Sequence, residues 1–294
     1  MIAKALETSN PHLQKRRRID RIFRYVCFIA ALIAVIALVV LLGKILVDGI
    51  GRLNLSFLTN MSSDLRPETS GVRQALFGTI WLMVLTALIS VPIGVAAAVY
   101  LEEFNERRNR FTQFVEVNIA NLAGVPSIVY GILGLAIFVA WLSLGRSILA
   151  GALTMSLLIL PIIILVSQES LKAVPSSFRE GSLALGTTKW QTIRRMVLPS
   201  ALPGILTGVI LALSRAIGET APLIVVGAVS YVSFVPQQLS DSYTVLPVQI
   251  YNWARQPGEA YHDNAAAAII VLVGTLLVMN SIAIFIRIRT QKSV

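Results

Sequence analysis

The chain has 294 residues, of which 55% are hydrophobic and only 14% charged, and its formal net charge is +10. Its mean hydropathy is +0.75. Soluble domains carry about 25% charged and 45–50% apolar residues, so the composition argues against a water-soluble enzyme, and the clustering of apolar residues into runs makes a bilayer the natural solvent. The one cysteine, Cys27, cannot form an internal disulfide or a multi-thiolate metal site, and His12 and His262 lie too far apart in sequence to suggest a histidine metal cluster. Cys27 is expected to be a small buried apolar residue.

In chain order, a basic arm (1–24) containing Lys15-Arg16-Arg17-Arg18 precedes the first apolar run, Tyr25 to Gly43. That run is too long for a signal-peptide core and no clean A-x-A-like site follows it, so it reads as an uncleaved anchor (25–43). The second run, Gln74 to Leu101, is free of charge; Pro92 and Gly94 inside it, and Pro161 in the fourth run, read as kinks or close-packing points. The third runs from Leu122 to Leu144, with Asn118 and Asn121 near its start expected to bond between helices. The fourth spans Ser147 to Val166. The fifth begins near Pro199 and passes Val226, interrupted by Arg215 and Glu219, and the sixth covers Ala265 to Ile286. Each run suits a helix crossing about 30 Å of hydrocarbon. The runs are continuous rather than alternating, which excludes a membrane barrel. The predicted fold class is an all-α integral membrane protein with six transmembrane helices.

Lys and Arg set the orientation. With the N-terminus inside, the inner segments hold 18 Lys and Arg, from Lys4 through Lys292, and the outer loops hold 6. Both termini are therefore expected in the cytoplasm. The +10 charge then reads as topological signal and headgroup contact with the lipid bilayer. Basic residues are not interleaved with aromatics, so no nucleic-acid role is expected. The two long outer segments, Lys44 to Arg73 and Val229 to Asp263, would form an outward-facing docking surface.

The inner loop Glu169 to Pro199 carries a recognisable pattern. Pro175-Ser176-Ser177 predicts a helix start, and Phe178 to Leu185 reads as a helix. Gly186 can adopt the positive φ of a C-cap, and the threonines after it can cap the next helix. Trp190, Ile193 and Val197 give the following stretch one apolar face, and Pro199 is expected to end it. The loop is thus two short helices bent at Gly186 at the membrane surface. On pattern alone, an interfacial anchor and a docking element are both open.

Within the fifth run, Ser214-Arg215-Ala216-Ile217-Gly218-Glu219-Thr220-Ala221-Pro222-Leu223 places two charges in the apolar phase, at a cost of about 2.5–3.5 kcal/mol each on insertion scales. Arg215 and Glu219, four apart, share one helix face and can pair, or both can line a polar pathway with Thr220. If the helix starts at Pro203, Arg215 stands roughly 18 Å along it, at ~1.5 Å per residue. Pro222 cannot donate to Gly218 and is expected to break the helix; a half-helix starting there would leave the amides of Leu223 and Ile224 free to favour an anion. A structural Arg–Glu lock and a solute-path role both remain open.

Glu180-Gly181-Ser182, then Gly186, then Val197-Leu198-Pro199 resembles the EAA loop of ABC importer permeases, with Gly181 and Ser182 in place of two alanines. The runs RAIGETAPL (215–223) and Val125-Pro126-Ser127-Ile128-Val129-Tyr130-Gly131 resemble the phosphate-specific branch of that family, and the likeness extends from about Gly71 to Arg287. It implies a MetI-like, type I importer permease domain (71–287) with a coupling loop (169–199), followed by a cytoplasmic tail (288–294). It further implies that Phe178, Glu180, Gly181, Ser182, Leu185 and Gly186 dock a cytosolic ATPase, and that Arg215, Glu219 and Thr220 line the substrate pathway for inorganic phosphate. The chain holds no G-x-x-x-x-G-K-[ST] phosphate cradle, so it is not expected to be an enzyme or to bind a cofactor. ATP and Mg would sit in the partner ATPase. The implied partners are a homologous permease subunit, two cytosolic ATPase subunits and an extracytoplasmic phosphate-binding protein. The rival readings are a permease for another oxyanion such as sulfate, or an ion-coupled secondary transporter. The latter predicts inverted repeats, which the sequence does not display.

Overall fold

The computed structural model describes residues 11–63, 65–104, 110–228, 232 and 234–291. Lys4, Arg107, Arg108 and Lys292, which enter the charge count, lie outside the described residues. Among the described residues every regular element is helical. The helices are α1 (Pro11–Ile50), α2 (Leu55–Thr59), α3 (Arg73–Val99), α4 (Arg110–Ala123), α5 (Ser127–Gly134), α6 (Ile148–Lys172), α7 (Ser176–Ala184), α8 (Lys189–Thr192), α9 (Leu198–Ala216), α10 (Ala221–Val226), α11 (Leu246–Ala254) and α12 (Glu259–Gln291). Three π-helical turns, Tyr100–Phe104, Leu135–Trp141 and Ile193–Val197, extend α3, extend α5 and lead into α9.

Among the described residues, five helical stretches are long and apolar enough to cross a membrane, and a sixth span arises if the bent pair α4 and α5 counts as one. The expected single third helix from Leu122 to Leu144 is therefore corrected: Leu122 ends one limb, and the next starts at Ser127 after a 104° turn. Pro126 causes the break. It disfavours helical geometry at Val125 and has no N–H to give. The Tyr130 hydroxyl, donating to the Leu122 carbonyl at 2.8 Å, ties the two limbs together. Asn118 bonds to the carbonyl of Phe114 on its own helix at 2.7 Å and is exposed, so it does not bridge helices.

Helix α6 is the centre of the bundle. Two-thirds of its most apolar window is buried (67%), whereas the corresponding windows of α1 and α12 have no buried residue. Ser147 starts α6 by accepting from the Ala150 amide at 3.2 Å. Lipid tails are as apolar as leucine, so helices associate here by close packing at small residues. Gly94 of α3 lies against Ile163, Gly134 of α5 against Thr154, and Gly204 and Gly208 of α9 against Ser170 and Val166. Met155, Ile159 and Ile163 fill the seam together with Leu82 and Met83 of α3 and Ile205 of α9. A second cluster, around Phe57, Val72, Leu246 and Trp253, joins α2, α3, α11 and α12. Arg52 donates to Asn264 at 2.9 Å and to the Pro67 carbonyl at 2.6 Å, pinning the end of α1 to α12. Cys27, expected to be buried, is exposed on α1, because the apolar surface of that helix is not covered by the rest of the chain.

Candidate functional site

The fifth span is broken where its charges lie. Helix α9 ends at Ala216 and α10 starts at Ala221 with Pro222 in its first turn. Proline suits that position, where the amide would lack a partner in any case. Residues between them tighten into short-range bonds: the Gly218 amide donates to Arg215 at 3.3 Å and the Glu219 amide to Ala216 at 3.1 Å. Arg215 Nε stands 3.5 Å from Glu219 Oε1, so the pair forms. The Arg215 side chain is 55% exposed and that of Glu219 19%, which leaves the guanidinium open on one side. Thr220 follows immediately, its hydroxyl 3.4 Å from the Gly218 carbonyl. Helix α9 begins five residues before Pro203, so Arg215 stands about 26 Å along it rather than 18 Å, at ~1.5 Å per residue.

One detail differs from expectation. The Ile224 amide is not free but donates to the Thr220 carbonyl at 3.1 Å, and α10 is only six residues long. Any anion attraction here falls to Arg215 rather than to the helix end. Gly227 closes α10 in the left-handed conformation, φ 111°, and the side chain of Arg146, from the turn between the third and fourth spans, lies against it. The aliphatic stem of a second basic residue thus packs against the end of the broken span.

The two runs singled out in the third and fifth spans meet. Gly131 packs on Pro222 so closely that a Cβ there would stand 2.7 Å from the Pro222 Cα and 3.0 Å from its carbonyl oxygen. This contact is visible only in the folded chain.

At the opposite end, the segment from Glu169 to Pro199 forms a helical hairpin. Helix α7 starts after Pro175 and ends before Gly186, whose φ of 80° permits the reversal. Thr188 and Gln191 form a capping box at the start of α8. Pro199 does not end this arm, as the sequence suggested. It occupies the first turn of α9, and the π-turn Ile193–Val197 carries the chain through without a break. Phe178, Glu180, Gly181 and Leu185 are exposed, Leu185 at 87%. Phe178, Gly181 and Leu185, with Arg195 and Met196, line a groove of about 530 Å³. Gly181 borders open space, whereas Ser182 turns inward. Its hydroxyl lies 2.8 Å from that of Thr187 and 3.1 Å from that of Thr192, and Thr187 and Thr192 are 2.9 Å apart. This ring of three hydroxyls holds the bend at Gly186.

Sequence reasoning missed the strongest polar contact of the hairpin. Arg179 donates Nε to Glu103 at 3.1 Å and Nη2 at 2.6 Å, and it also donates to the carbonyls of Val174 at 2.8 Å and Leu171 at 2.9 Å. The pair is 76 residues apart in sequence, and no local periodicity announces it.

Residues 90–290 match the family described as binding-protein-dependent transport system inner membrane component. The phosphate transport system permease protein PstA 1 of Mycobacterium tuberculosis is 35% identical over 280 residues, covering 94% of this chain and 91% of that protein. The PstA of Haemophilus influenzae is 31% identical over 265 residues, 90% of this chain and 92% of its own length. The probable ABC transporter permease protein YqgI of Bacillus subtilis is 38% identical over 195 residues, 66% of this chain and 65% of that protein. Among solved structures, a bacterial ABC transporter involved in import of the acidic polysaccharide alginate superposes with a TM-score of 0.63 at 17% identity, over 93% of this chain and 99% of that one. An inward-facing MetNI methionine ABC transporter gives 0.54 at 19% identity, over 76% and 94%. At such identities the structures share the fold alone. The family match over most of the chain, the near-full-length relatives and the shared fold lead to one conclusion: the chain belongs to the binding-protein-dependent transport system inner membrane components, the multi-pass permease subunits of ABC importers.

Proposed function

We propose that this chain is one permease subunit of an ABC importer that moves inorganic phosphate into the cell. The observation that carries the reading is the likeness to phosphate permeases along 94% of the chain. It pairs with a second, PstC-like permease subunit. Two PstB-like ATPases bind ATP and Mg and dock at the exposed face of α7 around Phe178, Glu180, Gly181, Leu185 and Gly186, while Ser182 keeps that face in shape. A PstS-like phosphate-binding protein delivers solute to the outer loops, and both termini lie in the cytoplasm. Closure of the ATPases moves the hairpin. The half-open guanidinium of Arg215 then offers a charge to the passing anion, with Glu219 holding it in place and Thr220, next in the chain after Glu219, adding a hydroxyl. Charge-assisted hydrogen bonds to a phosphate oxygen suit such a transient role.

The test is uptake of radiolabelled phosphate in cells lacking the gene, with and without a plasmid copy. Restored uptake that ignores excess sulfate and fails on ATP depletion is the expected result. Absence of restored uptake by a chain present in the membrane with its partners would overturn the phosphate reading. Arg215→Ala, in a normally assembled complex, is expected to cut uptake roughly tenfold, the worth of about one charged hydrogen bond. Wild-type uptake would remove Arg215 from the pathway.

A further inference from the structure

The hairpin joins α6 through a three-residue link, Ala173-Val174-Pro175, and it bends at a glycine. A helix held only by such connections would pivot when pushed. Two adjacent residues at the end of α3 prevent this, each gripping one arm. Glu103 takes the fork of Arg179 on α7. Phe104 packs its ring 6.4 Å from that of Trp190, and the Lys189 ammonium lies 5.7 Å above it. Both residues belong to a π-helical turn, a geometry that often marks functional positions within helices. The ion pair is shielded, with Glu103 only 7% exposed and Arg179 25%. The same guanidinium reaches the carbonyls of Leu171 in the last turn of α6 and of Val174 in the link. One planar, directional group therefore fastens α7 to the ends of both α3 and α6, which a lysine could not reproduce.

We propose that Arg179 and Glu103 are positioning residues that make the hairpin rigid with α3 and α6, so that ATPase closure is carried into these spans as well as into α9. This rests on the reading that the hairpin receives the ATPase. Its chemistry is separate from the exposed docking face, because neither side chain needs to touch the partner.

The test uses the whole complex, purified with its native partner subunits and reconstituted in proteoliposomes with the phosphate-loaded binding protein. Phosphate moved per ATP hydrolysed is measured alongside complex yield. Glu103→Gln is expected to lower the ratio roughly tenfold at unchanged yield, and Glu103→Asp to restore most of it. A second readout is independent of the solute: spin labels at Ala184 and Ile93, in a Cys27→Ser background, report the distance between α7 and α3. In the otherwise unchanged complex this distance stays the same with and without trapped ATP, and in Glu103→Gln it broadens or shifts. An unchanged ratio with an unchanged distance would overturn the proposal. If Glu103→Gln does not assemble, Arg179→Lys, which keeps the charge and loses the fork, is read in the same way, and wild-type behaviour would again overturn it. A wild-type complex that moves no phosphate defeats the phosphate reading alone, since the label distance still decides the joint.

Discussion

Arg215 and Glu219 were readable as a possible pair because they are four apart in one apolar run, where helical spacing brings side chains to the same face; they pair in the structure although Glu219 lies past the end of α9. Arg179 and Glu103 obey no such rule. Their meeting depends on how α3, α6 and α7 converge, and the sequence shows Arg179 only as one more inner-side charge. Ser182 is intermediate: its small size was legible, but its inward direction toward Thr187 and Thr192 was not. Gly131 is the sharpest case of a residue whose reason lies elsewhere in the chain. Gly131→Ala is expected to push against the Pro222 backbone and destabilise the chain by about 1–3 kcal/mol, the usual cost of overpacking. Thermal unfolding of the purified protein should show a midpoint lowered by several degrees, on the order of 2–4 °C per kcal/mol for a chain of this size. A wild-type midpoint would mean that the third and fifth spans are not in tight contact there.

At the scale of elements, the apolar runs located the helices and Pro222 located the break in the fifth, whereas the break at Pro126 in the third was not read from the sequence. The size of a bend was not legible, because 104° between α4 and α5 depends on what each limb packs against. The start of α6 offers a pH test. Asp241 accepts from the amides of Gln237 at 2.8 Å and Gln238 at 2.9 Å, and these bonds hold its carboxyl below the ordinary value of 3.8. The turn so formed presents the carbonyls of Asp241 and Leu239 to the first amides of α6, at 3.0 and 3.1 Å. Because the folded-state pKa is lowered, the contribution of the charged form is complete above 3.8 and disappears as pH falls through the lower folded value. As pH falls below about 3.8, the unfolding midpoint of the wild type should therefore fall more steeply than that of Asp241→Asn, which has no proton to take up. Parallel slopes for the two would show that the carboxylate does not secure the turn.

At the scale of the whole molecule, the bundle is built around α6, while α1 stands at its edge with its most apolar window uncovered. Its link to the rest is near its end, where Gly49 lies against the backbone of Ala266 and Ala267 and Arg52 bonds to Asn264. Removal of residues 1–43 is thus expected to leave the unfolding midpoint of the remaining chain within roughly 2 °C of wild type in detergent, since such a change removes little buried contact. A large drop would show that α1 supports the core directly. The sequence by itself determined the membrane class, the approximate spans, the hairpin bend at Gly186 and the interruption of the fifth span. These follow from local terms: the transfer of apolar residues into lipid, the missing amide of proline and the positive φ open to glycine. Only the tertiary structure decided that α6 is central, that Gly131 seats Pro222, and that Glu103 and Phe104 grip the two arms of the hairpin. Those contacts join residues tens of positions apart, and their geometry is set by close packing between helices, a property of the folded bundle rather than of any single segment.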